Sequence, residues 1–501
     1  MDRYLLGIDI GSGGCKVSLL NIDRKETITE AAEYLTYFPR AGWAEQDAED
    51  WVINTGRLVR LIIDKAEIEP SSLYAIGIGG VTHSPVILDK KRKPVRRTIH
   101  LTDTRSVKQA EYLKGKAGDL ILRTGFNSAG VMWTSAMLLW IKENEPETWE
   151  KMSRILFPKD YVRFRLTGTE VTDCIDAQGT LLFNTAEGKW DDRLISLIDL
   201  EKAVLPETVN PSDVVGKVTD EGAGWSGLKA GTPVIAGSTD TLLEVMASGS
   251  RSPGDCTVKL ATFGRICVIT EKPIYDEKLI TYSYILPGLW YPGTGTKSCA
   301  SSLKWFRDQF CRDMKGEVFG IMEKEAGGIP PGAEGLIFHP YLQGEGSPYN
   351  DPFLRGDFIG LTLHHSRGHL IRAVMEGTAF SLLDSINYLK EKGISIKGPL
   401  RFIGGGTLST LWLNILSDVL GQDGVVPEAT DPSVGAALLA GVGTGVFNSV
   451  EEAQEQVKGH VREIKHDEGR SELYGNLFEL YKKANEQLVS IYHELSEFSL
   501  K

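Results

Sequence analysis

Asp9 ends the apolar run Tyr4-Leu5-Leu6-Gly7-Ile8 and is followed by Gly11-Ser12-Gly13-Gly14, with Lys16 just beyond. Glycines in such a turn let backbone N–H groups close on an anion without a side-chain clash, and Lys16 adds charge. Asp9 can hold Mg²⁺ through water, because that ion keeps most of its hydration shell. The same residues also suit a tight hairpin turn with a surface lysine. Asp240 closes Gly237-Ser238-Thr239-Asp240, between Val234-Ile235-Ala236 and Leu242-Leu243-Glu244-Val245-Met246. A carboxylate at a strand–helix junction can accept a proton from a hydroxyl, and it can equally serve as a helix N-cap. Gly404-Gly405-Gly406-Thr407 lies between the strand-like Leu400-Arg401-Phe402-Ile403 and the helix-like Trp412-Leu413-Asn414-Ile415-Leu416. Three glycines there admit a nucleotide's ribose and α-phosphate to the start of a helix, or line a turn that binds nothing.

The elements that must position these residues follow from hydrophobic spacing. Two apolar runs around Gly11–Gly14 predict a hairpin. Trp51, Thr55, Leu58 and Ile62 predict an amphipathic helix capped by Asp47. Strands are expected from Leu73 to Gly80 and from Ser84 to Asp89, around Thr82-His83, with helices near 106–115 and 134–144. The small-residue run Ala247-Ser248-Gly249-Ser250-Arg251-Ser252-Pro253-Gly254-Asp255 separates a helix pattern from a strand pattern. It divides the chain into domains at 1–247 and 248–501 and is expected to act as a hinge. Val258–Ala261, the turn Thr262-Phe263-Gly264 and Arg265–Ile269 repeat the opening strand–turn–strand idea, which hints at duplication. At the end of the chain, Leu473, Leu477, Tyr481, Ala484, Leu488, Ile491 and Leu495 predict one apolar stripe on a packing helix.

The 501 residues carry 55 Lys+Arg against 67 Asp+Glu, a formal charge of −12. That balance argues against a general nucleic-acid or membrane-surface binder, both of which recruit basic patches. Six isolated cysteines exclude a disulfide scaffold and a Cys-x-x-Cys metal or redox pair. No stretch approaches the ~18 apolar residues of a membrane span, and a cytoplasmic protein is expected. Pro292-Gly293-Thr294-Gly295-Thr296-Lys297-Ser298 misses the P-loop pattern at Thr296, and His364, His365 and His369 lack the glutamate of a zincin, so they read as surface or capping residues.

In order along the chain, Gly7–Gly13, Gly42–Asp47, Asp103–Ser106, Phe157–Arg163, Thr172–Ala177, Pro340–Glu345, Gly356–Leu361 and His369–Glu376 resemble the FGGY carbohydrate kinases, from residue 4 to about 455. The resemblance implies an α/β protein with two ribonuclease H-like, actin-like ATPase domains and ATP in the cleft between them. It implies Asp240 as catalytic base and Asp9 as the acid near the metal and γ-phosphate. Gly11, Ser12 and Gly13 would form the first phosphate loop, with Lys16 read from its position as an added charge beside it, Thr262 and Gly264 the second, and Gly404, Gly405 and Gly406 the nucleotide turn. Thr82, His83, Asp103 and Trp133 fall on substrate-side positions, with Thr82 where xylulose kinases carry methionine. Phe263, Leu101-Thr102 and Met137 also depart from the family pattern.

The function so implied is ATP- and Mg²⁺-dependent phosphorylation of a terminal hydroxyl of a ketose or polyol, with D-xylulose as the first acceptor. Alternatives are a kinase for ribulose, erythritol, glycerol, gluconate or a similar compound, or a catalytically silent sugar and nucleotide sensor. The partners expected are the sugar and ATP. Relatives that dimerise admit a homodimer, and neither nucleic acid nor membrane is implied.

Overall fold

The computed structural model describes residues 2–428, 430–457 and 462–499. Tyr4–Ile10 and Gly14–Asn21 form the expected hairpin, with Asp9 opposite Lys16. Glu26–Glu33 adds a third antiparallel strand. That strand is largely exposed and charged, so it offers no apolar alternation to read. Leu73–Gly80 pairs parallel to Tyr4–Ile10, Pro233–Ile235 pairs parallel to Leu73–Gly80, and Val214–Lys217 closes the sheet antiparallel.

The second sheet repeats this plan. Cys256–Leu260, Gly264–Val268 and Gly293–Thr294 form an antiparallel trio. Leu400–Ile403 and Gly424–Val426 then join in parallel, and Arg462–Ile464 closes the edge antiparallel. Spatial order and sense of the strands agree between the two sheets, except that the last edge strand precedes its parallel neighbour in the chain in the first half and follows it in the second. The likeness of the chain's two halves is therefore a likeness of topology.

Each half follows its last parallel strand with a helix. Asp240–Ala247 follows Pro233–Ile235, and Pro432–Gly443 follows Gly424–Val426. The second helix leaves its own sheet and lies on Tyr4–Ile10, Leu73–Gly80 and Asp240–Ala247. Missing side chains make this approach feasible. A Cβ on Gly7 would stand 1.7 Å from Ser433 O, and one on Gly77 would stand 1.9 Å from Ala436 O. The chain thus passes between the two sheets three times, after Ala247, before Pro432 and again before Arg462. The first passage is tied down: Tyr284 Oη donates to Ser250 O at 2.5 Å and Gln454 Nε2 to Met246 O at 2.8 Å.

The helix Ala48–Lys65 begins as expected, with Asp47 accepting from Glu49 N at 3.0 Å and Trp51, Thr55, Leu58 and Ile62 buried. Thr134–Asn144 also matches, whereas the helix from Val107 runs on to Gly125. The final helix, Glu468–Ser499, corrects the expected stripe. Leu473, Ile491 and Leu495 are exposed, while Tyr474, Phe478, Tyr481, Asn485, Tyr492 and Ser496 are buried. Tyrosines that face inward with bonded hydroxyls explain the shift: Tyr481 Oη meets Tyr341 Oη at 2.8 Å, and Tyr474 Oη donates to Glu376 at 2.7 Å. His369 is a capping histidine, its Nδ1 accepting from Ser366 N at 3.1 Å, and His364 pairs with Glu334. Among the described residues no helix is long and apolar enough to cross a membrane.

Candidate functional site

Carboxylates gather where the first sheet meets the two crossing helices. Asp9, near the end of Tyr4–Ile10, is 4% exposed, and its Oδ1 has no hydrogen-bond partner among the described residues. Burial, then the charges of Asp240 and Asp431, push its carboxyl well above the ordinary range, against the pull of Lys16. Asp431 caps the helix Pro432–Gly443, accepting from Ser433 N at 3.0 Å, and its Oδ2 takes Lys16 Nζ at 2.5 Å. Lys16 therefore joins the first glycine turn to the second half of the chain.

Asp240 is the first residue of its helix, but Thr239 is the cap, its Oγ1 accepting from Leu242 N at 3.3 Å. That frees the Asp240 carboxylate from capping. It accepts only from Thr241, at 2.6 Å from N and 3.2 Å from Oγ1, among the described residues. One turn on, Glu244 is buried and bonds Lys259 Nζ of the second sheet at 2.6 Å. Burial opposes the Lys259 ammonium, yet Glu244 and Asp240 raise its pKa. Four carboxylates (Asp9, Asp240, Glu244, Asp431) thus face two ammonium groups (Lys16, Lys259), leaving the group two positive charges short when all are ionised. An orphaned Asp9 oxygen in that deficit suits a hydrated divalent cation.

A second cluster lies beyond the strand Leu73–Gly80. His83 has a left-handed φ of 74° and is buried. Its Nδ1 is 2.9 Å from Gly179 O, a pure acceptor, so Nδ1 carries the proton and Nε2 is left as an acceptor. Burial holds its pKa at about 4, so the ring is neutral at pH 7. Trp133 stands edge-on to it at 4.7 Å, and Tyr282, from the second half of the chain, brings its hydroxyl to 3.5 Å from Nε2. Thr82, next to His83 in the chain, is buried as well. Gly179 leaves the room, since a Cβ there would lie 3.2 Å from Tyr282 Oη. Behind this wall, Lys159 is fully buried among Asp160, Asp173 and Asp176 at 2.5, 2.8 and 3.2 Å. Asp173 also accepts from Ser238 Oγ at 2.9 Å, anchoring the segment that leads to Asp240.

The glycine turns occupy matching places. Ser12 and Gly13 are exposed at the tip of the first hairpin, where a Cβ on Gly13 would meet nothing within 4 Å. Thr262 is exposed at the corresponding turn of the second sheet, and Gly264 is packed, with a Cβ there 2.8 Å from Thr296 Cγ2. A Cβ on Gly404, at φ 88°, would lie 2.8 Å from Leu260 O and one on Gly406 2.7 Å from Leu260 Cβ, while one on Gly405 would meet nothing within 4 Å. The triple-glycine turn and the Thr262–Gly264 turn thus share one corner, and Gly11 returns from its turn by donating N–H to Gly14 O at 3.0 Å.

Asp103 is not brought into the His83 cluster by any contact. It is 1% exposed, accepts from Ala44 N at 2.6 Å, and pairs with Arg105 at 2.8 Å. Its carboxylate orders the Gly42–Glu45 segment, where Arg105 stacks over Trp43 at 3.8 Å. Met137 is fully buried beside Trp133, so that departure from the family pattern is a core residue, whereas Phe263 stands half exposed at a turn tip. Sequence reading missed Glu244, Lys259, Asp431, Lys159 and Tyr282. The Asp431-Pro432-Ser433 cap signature and the i, i+4 spacing of Asp240 and Glu244 carried a signal for two of them. Lys259 and Tyr282 come from across the cleft, which no local spacing reports.

Comparison with known proteins accounts for both halves. Residues 4–247 match the N-terminal domain, and 263–444 the C-terminal domain, of the FGGY family of carbohydrate kinases. A curated xylulose kinase of Bacillus subtilis is 33% identical over 483 residues, covering 96% of each chain. A gluconokinase of the same organism is 27% identical over 516 residues, covering 99% of this chain and 98% of the relative. The crystal structure of xylulose kinase from Rhodospirillum rubrum superposes with a TM-score of 0.88 at 26% identity, over 98% of this chain and 100% of that one. With its two like-built sheets and the charged cleft between them, the chain belongs to the FGGY family of carbohydrate kinases and is a sugar phosphotransferase.

Proposed function

We propose that the chain transfers the γ-phosphoryl group of ATP to a terminal hydroxyl of an open-chain sugar, with Asp240 as the base. The observation that carries this reading is the Asp240 carboxylate itself, relieved of capping by Thr239 and set at a strand–helix junction beside the cleft. Phosphoryl transfer asks mainly for positioning and charge stabilisation. Asp240 accepts the proton of the attacking hydroxyl, and the Glu244–Lys259 bridge holds its helix against the second sheet. The turns at Gly11–Gly13, Thr262–Gly264 and Gly404–Gly406 offer backbone N–H groups to the nucleotide. Mg²⁺, when bound, would neutralise phosphate charge, and Asp9 would hold it through water.

On the acceptor side, Trp133 and Tyr282 give apolar walls, and His83 Nε2 accepts from a sugar hydroxyl. D-xylulose is the first neutral acceptor, in keeping with the name of the Bacillus subtilis relative. A second reading, a sugar acid, agrees with the name of the gluconokinase relative. The test is ADP formation from Mg-ATP across ketopentoses, ketohexoses, tetritols, glycerol and aldonates. Acceptor-dependent turnover is expected; ATP binding with no turnover on any acceptor contradicts the proposal.

A further inference from the structure

His365 and His369 have the spacing of a ligand pair on a helix, but the helix begins only at Arg367. His365 is spent in its own turn, its Nδ1 accepting from Thr362 N at 3.1 Å. The histidine that joins His369 is His364, and the carboxylate absent from the local sequence comes from Glu334, 35 residues before His369. His364 Nε2 lies 2.7 Å and His369 Nε2 3.1 Å from the same oxygen, Glu334 Oε2. The ligand atoms of the three residues are all within 4.8 Å of one another. Ligands about 2.0–2.1 Å from a tetrahedral zinc ion stand about 3.3 Å apart, so modest side-chain rotation closes this set around one ion.

Two of the three ligands are fixed by the fold. His369 is 5% exposed, in the first turn of the helix Arg367–Glu391. Glu334 lies in the turn Ala333–Gly335 at a left-handed φ of 53°, which residues other than glycine keep only where their neighbours impose it. The turn is tied to the same helix, with Gly332 N donating to Glu376 Oε1 at 2.9 Å. His364 is exposed and can swing to complete the set, leaving a fourth position open to water.

The protons on His369 accommodate an ion. Its Nδ1 accepts from Ser366 N at 3.1 Å, so Nε2 carries the proton toward Glu334. An ion on Nε2 takes that place and the proton moves to Nδ1, where Ser366 Oγ stands at 2.9 Å to accept it. Ser366 is exposed, so water takes up its N–H. We infer that Glu334, His364 and His369 form a binding site for a divalent transition-metal ion of the zinc kind, stapling the turn to the start of the helix. Two imidazoles select such ions over Mg²⁺, which takes oxygen ligands. The site lies in the second half of the chain and does not depend on the kinase reading.

Wild type, Glu334→Gln, His364→Asn and Ser366→Ala, stripped with chelator and shown by melting curves to be folded, are titrated with Zn²⁺ by calorimetry in excess Mg²⁺. Wild type is expected to take one Zn²⁺ per chain, with affinity lower by about 100-fold or more in Glu334→Gln and His364→Asn. Ser366→Ala, which removes the acceptor of the shifted proton, is expected to cost about 10-fold. Zn²⁺ should raise the melting temperature of wild type and leave those of the two ligand variants unmoved. Histidine nitrogen NMR reads the tautomer, with the His369 proton on Nε2 before zinc and on Nδ1 after it. No uptake by wild type, equal affinity in wild type and both ligand variants, or an unshifted His369 proton in the zinc-bound protein overturns the inference.

Discussion

His83 donates through Nδ1 to Gly179 and keeps Nε2 unprotonated as an acceptor, so its usefulness depends on remaining neutral. Its folded pKa is about 4 against 6.5 for an ordinary histidine, because burial disfavours the imidazolium. The sign follows from linkage. Above pH 6.5 the ring is neutral in both states and this contribution is intact; as pH falls toward 4 the unfolded chain takes up the proton first, and stability is lost. His83→Gln is predicted to flatten the fall in melting temperature between pH 6.5 and 4, where the wild-type ring contributes a loss on the order of 3 kcal/mol. An unchanged slope in the variant would contradict the assignment. The position of His83 beside a strand end could be read from the sequence. Its tautomer could not, because Gly179 lies 96 residues away.

At the scale of elements, the crossing helix Pro432–Gly443 decides whether the two halves form one cleft. Its contact with the first sheet is backbone against backbone at Gly7 and Gly77. Gly77→Ala puts a Cβ 1.9 Å from Ala436 O, a clash with main chain that cannot swing away. It is expected to cost about 3 kcal/mol or more, or to prevent soluble expression. Gly475→Ala, on the last helix with nothing within 4 Å, should be neutral or stabilise by about 0.5–1 kcal/mol. Equal melting temperatures for the two variants would refute this packing. Apolar periodicity disclosed the hairpin, the strand Leu73–Gly80 and the helices at 48 and 134, since each buries a regular stripe. It could not disclose Glu26–Glu33, which buries almost nothing, and it misplaced the face of Glu468–Ser499, where tyrosine hydroxyls are bonded inside and Asn485 is buried.

Taken whole, the molecule is two like-built sheets joined by three chain passages and by side-chain bridges such as Glu244–Lys259 and Lys16–Asp431. The proposed acceptor-side groups come from both halves, Thr82, His83 and Trp133 from one and Tyr282 from the other. Binding of acceptor with a non-hydrolysable ATP analogue should therefore draw the halves together and exclude water from the γ-phosphate. Small-angle scattering is expected to show a smaller radius of gyration with both ligands than with either alone, and no change with both would oppose closure.

The central claim is that Asp240 takes the proton from the acceptor hydroxyl. It is tested most directly by single-turnover ADP formation in wild type and Asp240→Asn at saturating Mg-ATP and the best acceptor. The account predicts that Asp240→Asn binds Mg-ATP with near wild-type affinity and transfers phosphate slower by about 10²–10⁴-fold, the share of a positioned general base. Transfer within a few-fold of wild type would contradict it.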